Sequence, residues 1–201
     1  MKITRVGLDL AKNVFQVHAI DEAGEVLARK ALRRRRMVPF FSKLEPCLIG
    51  MEACATSHFW ARELSALGHQ VKLMPPAYVK AYVKRGKTDA ADAEAICAAV
   101  TRSTMRFVAI KSPEQQSVLA LHRTRDMLIR QRTQLVNMIR AQLPEFGIAL
   151  AKGIQHALRV VRQILDGEAP DIPALAIKVL IVLAGQVRDL QARLGDLSIT
   201  N

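Results

Sequence analysis

The hydrophobic pattern divides the chain in two: short apolar stretches set between turns come first, and long amphipathic stretches follow. Ile3–Leu10 and Val14–Ile20 are apolar and β-branched, as strands are. Asp21-Glu22-Ala23-Gly24 is a turn signal whose glycine can take positive φ, so Glu25–Leu32 is expected to complete a three-stranded meander. Four arginines, Arg33–Arg36, then lead into a short helix ending near Leu44. Cys47–Met51 is a short apolar run that fits a buried central strand. Ser57–Leu67 has helical periodicity and stops before Gly68, a residue suited to the position just past a helix end. His69–Met74 is the fifth expected strand, closed by Pro75-Pro76. Tyr78–Lys84 and Asp89–Thr101 are expected helices, the second rich in Ala, Glu and Ile.

The later part of the chain is helical in pattern. Ser112-Pro113-Glu114-Gln115 combines a capping serine, a proline at the first helical position and a glutamine two residues on. The helix it opens extends to about Leu143, where Pro144 and Gly147 end it. Leu121, Leu128 and Leu135 recur every seven residues beside Val118 and Ile139, a stripe expected to face a partner. Arg123, Arg125, Arg130, Arg132 and Arg140 decorate the rest of this helix. Residues 147–173 are punctuated by Gly and Pro and read as a connection. Beyond them Leu180, Leu183, Val187, Leu190 and Leu194 step by three and four, as in an amphipathic or coiled-coil helix. Three antiparallel strands followed by strand, helix, strand and helix is the element order of a ribonuclease H-like α/β domain. The expected organisation is a mixed-sheet α/β domain over residues 1–111 and a long-helix, coiled-coil region over 112–201.

Charge adds a partner class to this outline. With 30 Lys and Arg against 18 Asp and Glu, the formal net charge is +12, and such a surplus attracts a polyanion. The densest basic cluster is Arg33–Arg36 with Arg29 and Lys30; a second, Lys80, Lys84, Arg85 and Lys87, immediately precedes Asp89. Only 4% of residues are aromatic, so stacking on single-stranded bases is not the expected mode, and readout of backbone and shape fits better. Phe59 and Trp60 are expected to pack their helix onto the sheet. Cys47, Cys54 and Cys97 form no CxxC pair and have no His at ligand spacing, which argues for reduced thiols in a cytoplasmic protein rather than zinc. His18, His58, His69, His122 and His156 show no interpretable pairing. The first twelve residues contain no signal-peptide core, and the most apolar run, 174–185, is interrupted by Lys178 and is shorter than the ~20 residues of a membrane span. No membrane partner is expected.

Four carboxylates carry the candidate chemistry. Asp9 lies in the apolar strand Val6-Gly7-Leu8-Asp9-Leu10, where an acid is costly unless paired or bound to metal, and Gly7 beside it permits close backbone approach. Glu52 closes the apolar run Leu48–Met51; in a parallel arrangement it would emerge at the strand's C-terminal end, where α/β sheets place their sites. Asp89 and Asp92 share one face of a helix start, flanking Ala90-Ala91 with little steric cover. An ordinary helix cap with a first-turn acid accounts equally well for that pair taken alone. Hard oxygen donors of this kind suit Mg²⁺, with Mn²⁺ as an alternative, in phosphodiester chemistry.

The segments Val6-Gly7-Leu8-Asp9-Leu10-Ala11-Lys12, Gly50-Met51-Glu52-Ala53-Cys54, Lys87-Thr88-Asp89-Ala90-Ala91-Asp92-Ala93-Glu94-Ala95-Ile96 and Leu143-Pro144-Glu145-Phe146-Gly147 resemble the DEDD transposases of the insertion-sequence-one-ten family. The resemblance runs almost continuously from Met1 to about Gly147, and its third segment is the most specific. It implies a ribonuclease H-like (RuvC-like) domain similar to Holliday-junction resolvases, with the four letters on Asp9, Glu52, Asp89 and Asp92 and a magnesium site among them. It further implies DNA and a guide RNA as partners, and long helices that assemble dimers or tetramers. In such proteins a C-terminal transposase domain supplies a serine nucleophile. That serine has no matching position here, so the resemblance implies that this chain alone does not complete strand exchange. Arg33, Arg34, Arg35, Arg36, Lys84, Arg85, Lys87, Arg123 and Arg130 are the candidate nucleic-acid contacts. Two other readings stay open: a stand-alone resolvase-like nuclease using the same four acids, and a non-catalytic module for nucleic-acid binding and oligomerisation. Localisation with bacterial DNA in the cytoplasm is expected under each.

Overall fold

A computed structural model describes residues 2–82, 89–168 and 171–197, with Asp89 by its backbone alone. Five strands form one mixed sheet in the order β3-β2-β1-β4-β5. They are β1 (Arg5–Leu10), β2 (Val14–Ile20), β3 (Val26–Arg33), β4 (Leu48–Glu52) and β5 (Gln70–Met74). The first three make the antiparallel meander; β4 pairs parallel to β1, and β5 parallel to β4.

Strand alternation sorts the side chains of this sheet onto two faces. Val6 and Leu8 of β1, Phe15 and Val17 of β2, Ile49 and Met51 of β4 and Leu73 of β5 are buried together on one face. They pack with Met37 and Phe41 of α1 (Met37–Phe41) and with Trp60, Ala61 and Leu64 of α2 (Ser57–Ala66). The arginine run forms a single 3₁₀ turn, Arg34–Arg36, directly before α1. Past the end of α2, Gly68 has φ +91°, the left-handed conformation in which a side chain is strained.

His69 fastens this layer. Its Nδ1 accepts the Cys47 N–H at 3.2 Å, and its Nε2 lies 3.0 Å from the Phe41 carbonyl. An amide that only donates and a carbonyl that only accepts require the neutral Nε2–H tautomer. His58 is engaged as well, accepting the Lys111 N–H at 3.2 Å while Arg62 donates to the Lys111 carbonyl at 2.6 Å. These bonds hold residues 108–111 near the outer edge of β5, where Val108 bridges antiparallel to Leu73. His58 and His69 therefore have structural partners that sequence spacing does not reveal.

The opposite face is covered by α3 (Pro76–Val79), a 3₁₀ turn at Lys80–Tyr82, and α4 (Asp89–Ala99). The helix expected over Tyr78–Lys84 thus begins two residues earlier, at a proline suited to a first helical position. Its last residues, 83 and 84, lie outside those described.

Residues 113–201 form a separate unit. It contains α5 (Pro113–Gln142), a 3₁₀ turn at Leu143–Phe146, α6 (Ile154–Leu165) and α7 (Ala174–Asp196). Helix α6 lies inside the stretch read as a connection. Its Ala157, Val161 and Ile164 are buried against Val136, Ile139 and Leu143 and against Leu180, Ala184 and Val187. Farther along, Leu128 meets Leu190 and Leu194, so α5 and α7 run antiparallel.

Gly7 and Gly50 explain how α4 lies on the sheet. A Cβ at Gly7 would overlap the Ala93 carbonyl oxygen and reach 2.5 Å from the Cys97 nitrogen; at Gly50 it would sit 2.8 Å from the Val100 Cβ. Both glycines admit a close approach that any side chain would block, and at Gly7 the obstacle is helix backbone. Gly7→Ala is therefore expected to destabilise the first unit by about 1–3 kcal/mol, the usual cost of overpacking a closed core. Urea unfolding followed by circular dichroism measures this; an unchanged midpoint would mean that α4 does not lie this close to β1.

Candidate metal centre

Asp9 and Glu52 occupy equivalent ends of neighbouring parallel strands, one residue past the registered pair Leu8↔Met51. Each lies two residues beyond a glycine packed under α4, Gly7 or Gly50, and so faces the α4 side of the sheet. Helix α4 begins at Asp89, and Asp92 follows in its first turn. Ala93 lies over Gly7 and Val100 over Gly50. The helix therefore crosses from β1 to β4; Asp92 in its first turn acts on Glu52 and Cys97 farther along feels Arg5, so its start lies towards the strand ends that carry the acids.

The charge of Asp92 reaches Glu52. Partial burial chiefly, and the Asp92 carboxylate in addition, push the Glu52 carboxyl above its ordinary range. The positive end of the α4 dipole offsets part of this repulsion. Across the sheet Asp9 is registered with Gln16 of β2, and it makes interactions of its own. The donors gathered here are carboxylate oxygens, the set a hard divalent cation takes. Among the described residues no group of three or more His, Cys, Asp or Glu is close enough to hold an ion. The side chain of Asp89 lies outside them.

Other expected groups are distributed as follows. Arg33 lies at the end of β3, registered with Val14. By alternation Arg33 and Arg29 share the carboxylate face. Arg29 approaches Glu94 of α4 at 3.7 Å, so Glu94 points towards β3 while Asp92 serves the β4 side. Arg34 turns to the other face, 5.2 Å from the Trp60 ring centre. Arg35 and Arg36 are exposed. Lys84, Arg85 and Lys87 lie outside the described residues. On α5, Arg123 is exposed and Arg130 pairs with Asp126 one turn earlier.

Two cysteines differ from the third. Burial pushes the Cys47 thiol up to about 11; it pushes Cys97, on the sheet-facing side of α4, to about the same value against the pull of Arg5 and the Gly7 backbone. Cys54 is exposed, two residues past Glu52.

The raised Glu52 pKa fixes a sign. Relative to the unfolded chain, the native state holds more protons just above the ordinary carboxylate range, so stability falls as pH rises through that window. Without metal, Glu52→Gln is expected to match or exceed the native melting temperature at pH 7, with the difference shrinking towards about pH 4. Differential scanning fluorimetry reads this. A variant melting below native by the same margin at both pH values would mean that Glu52 contributes hydrogen bonds rather than charge strain.

A family model for DEDD transposases of the IS110 type, described as Transposase, matches residues 6–148. A protein described as a probable family 20 transposase of Pseudomonas aeruginosa is 46% identical over 198 residues, covering 98% of this chain and 59% of its own length. The transposase for insertion sequence element IS1328 of Yersinia enterocolitica is 43% identical over 168 residues, covering 84% of this chain and 50% of its own length. That for insertion sequence element IS1111A of Coxiella burnetii is 37% identical over 191 residues, covering 95% and 52%. The chain thus spans about half the length of the curated relatives it matches. On the extent of the family match and these identities, the chain belongs to the DEDD transposases of the IS110 type.

Proposed function

We propose that this chain is the metal-binding half of a DNA transposase, in which Asp9, Glu52, Asp89 and Asp92 hold a divalent cation, Mg²⁺ or Mn²⁺, for cleavage and transfer of DNA strands. The observation that carries the reading is the placement of Asp9 and Glu52 at matching ends of two parallel strands, on the sheet face covered by α4, whose first turn holds Asp92 within electrostatic reach of Glu52. A fold has no stability reason to bring two like charges together in a half-buried position; a cation between them removes the repulsion. Family membership supplies the reaction class.

When bound, the cation supplies activation of the attacking oxygen and charge stabilisation of the leaving oxygen in phosphodiester transfer. The chain's own residues do the rest. The parallel pairing of β1 and β4 sets the spacing of Asp9 and Glu52, and α4 brings Asp89 and Asp92 over that strand end. Arg33, on the same face along the edge strand, attracts the phosphate backbone towards the acids. Lys84, Arg85 and Lys87 would extend this basic flank, and Arg123 and Arg130 would meet nucleic acid along α5.

In this reading residues 1–111 form the catalytic domain. Residues 112–201 form a helical region that assembles dimers or tetramers by coiled-coil packing, and a guide RNA selects the DNA. The family resemblance supports both assembly and guidance.

Calorimetric titration with Mg²⁺ and Mn²⁺ tests the site directly. Saturable binding is expected for the native chain, with affinity reduced at least tenfold in Asp9→Asn, Asp89→Asn and Asp92→Asn while circular dichroism shows the fold intact. Equal, weak binding by all four proteins would overturn the metal assignment.

A further inference from the structure

The aromatic residues of the first unit are few, but the fold gathers several of them against the arginine run. Trp60 packs edge-on against Phe15 in the core, and the guanidinium of Arg34 lies 5.2 Å from its ring centre. Beside it Phe59 stands edge-on to Trp60, with ring centres 5.1 Å apart, and is 43% exposed. The Lys30 ammonium lies 5.5 Å from the ring centre of Phe40. Trp60 and Phe40 pack on the α1–α2 layer, so this patch and the carboxylates occupy opposite faces of the sheet.

Two ordinary explanations account for parts of it. An isolated exposed phenylalanine is common on protein surfaces. Charged residues along an edge strand protect it from pairing with other chains, which suffices for the cations of β3. Neither explains why cations from the edge strand and the following turn each sit over a ring, with a bare phenyl ring adjoining one of them. The elements that bear the patch also carry Arg35, Arg36 and Arg62 against the single acid Glu63. An exposed ring among cations is the arrangement that takes a nucleic-acid strand, the ring stacking on a base and the cations meeting phosphates.

We infer that this patch binds single-stranded nucleic acid, with a base stacked on Phe59 and a flanking phosphate held by Arg34, which shares the Trp60 ring with it. Paired bases are already stacked within a helix, so a duplex gains nothing from Phe59 and meets only the charges. The inference goes beyond the metal-site reading and shares with it only a nucleic-acid partner.

The test measures fluorescence anisotropy with labelled oligo(U), oligo(dT) and a mixed-sequence duplex, each about twenty nucleotides long. Chelator is present throughout, so the carboxylate site plays no part. Phe59→Ala is expected to weaken strand binding roughly tenfold, within the range set by ~1–3 kcal/mol per stacked base, and to leave the duplex unchanged. Phe59→Tyr keeps a ring and should bind strands like the native chain. Arg34→Ala should lower the slope of log affinity against log salt by about 0.7 for single strands. Trp60, the only tryptophan in the chain, reports occupancy through quenching of its emission. Stronger binding of oligo(U) than oligo(dT), or the reverse, would identify the strand as RNA or DNA; equal binding would make the patch tolerant of both. Native affinity in Phe59→Ala, or an equal loss on strand and duplex, would overturn the proposal. A native chain that binds no oligonucleotide would also overturn it while leaving the outcome of the metal titration independent.

Discussion

The absence of side chains at Gly7 and Gly50 sets the distance between helix and sheet on the acidic face. With a Cβ at Gly7 the backbone of α4 would have to lift off β1, and with it the first turn that carries Asp92. Helix α4 is held that close by apolar contacts of Ile96, Ala99 and Val100 with Met74 and Val79. Burial in this layer thus offsets the repulsion between Glu52 and Asp92. In the proposed metal site the same repulsion would set stability and ion affinity in opposition, as is common where function concentrates like charges.

Local chemistry made much of this visible in the sequence. All five strands were legible within one or two residues, because β-branched and apolar runs bounded by turn residues leave few alternatives. The parallel placement of β4 beside β1, which puts Asp9 and Glu52 at matching ends, was an expectation that pairing alone could decide. Register is a tertiary property, and a slip of one residue would have sent Glu52 into the apolar core. Ile154, Ala157, Leu158, Val161 and Leu165 carry the helical pattern of α6, but the glycines and prolines that flank this short segment give it the punctuation of a connection. Phe59 is expected from its position to pack α2 onto the sheet beside Trp60, yet the buried stripe of this helix is Trp60, Ala61 and Leu64, and Phe59 lies at its margin, 43% exposed. The partners of His58 and His69 lie 53 and 22 residues away in sequence, beyond any local pattern.

The second unit shows how an apolar heptad can be used within a chain. Leu128 packs with Leu190 and Leu194, and Leu135 is partly buried between the same helices. These contacts account for part of the stripe that spacing alone assigns to a partner. Arg132 donates to Gln191 at 2.6 Å, and Arg140 reaches the Gly153 carbonyl, so two of the arginines on α5 are tied to the bundle. Net charge therefore overstates the number of cations available to a polyanion, because several are committed to internal partners.

The cations of the first unit are divided between internal partners and open surface as well. Arg29 spends part of its charge on Glu94, at the margin of the acidic face, whereas Arg34 and Lys30 lie over aromatic rings that neutralise nothing. A cation over a ring keeps its full charge and retains outward donors, while one in an ion pair has lost much of its attraction for phosphate. Charge is thereby divided by face: acids, with the arginines that flank them, lie under α4, and ring-supported cations lie over α1 and α2. If both proposed phosphate-binding regions exist, a sheet only five strands wide cannot keep them far apart in the plane, but its thickness separates them. Nucleic acid drawn to one face then need not compete for the ligands of the other.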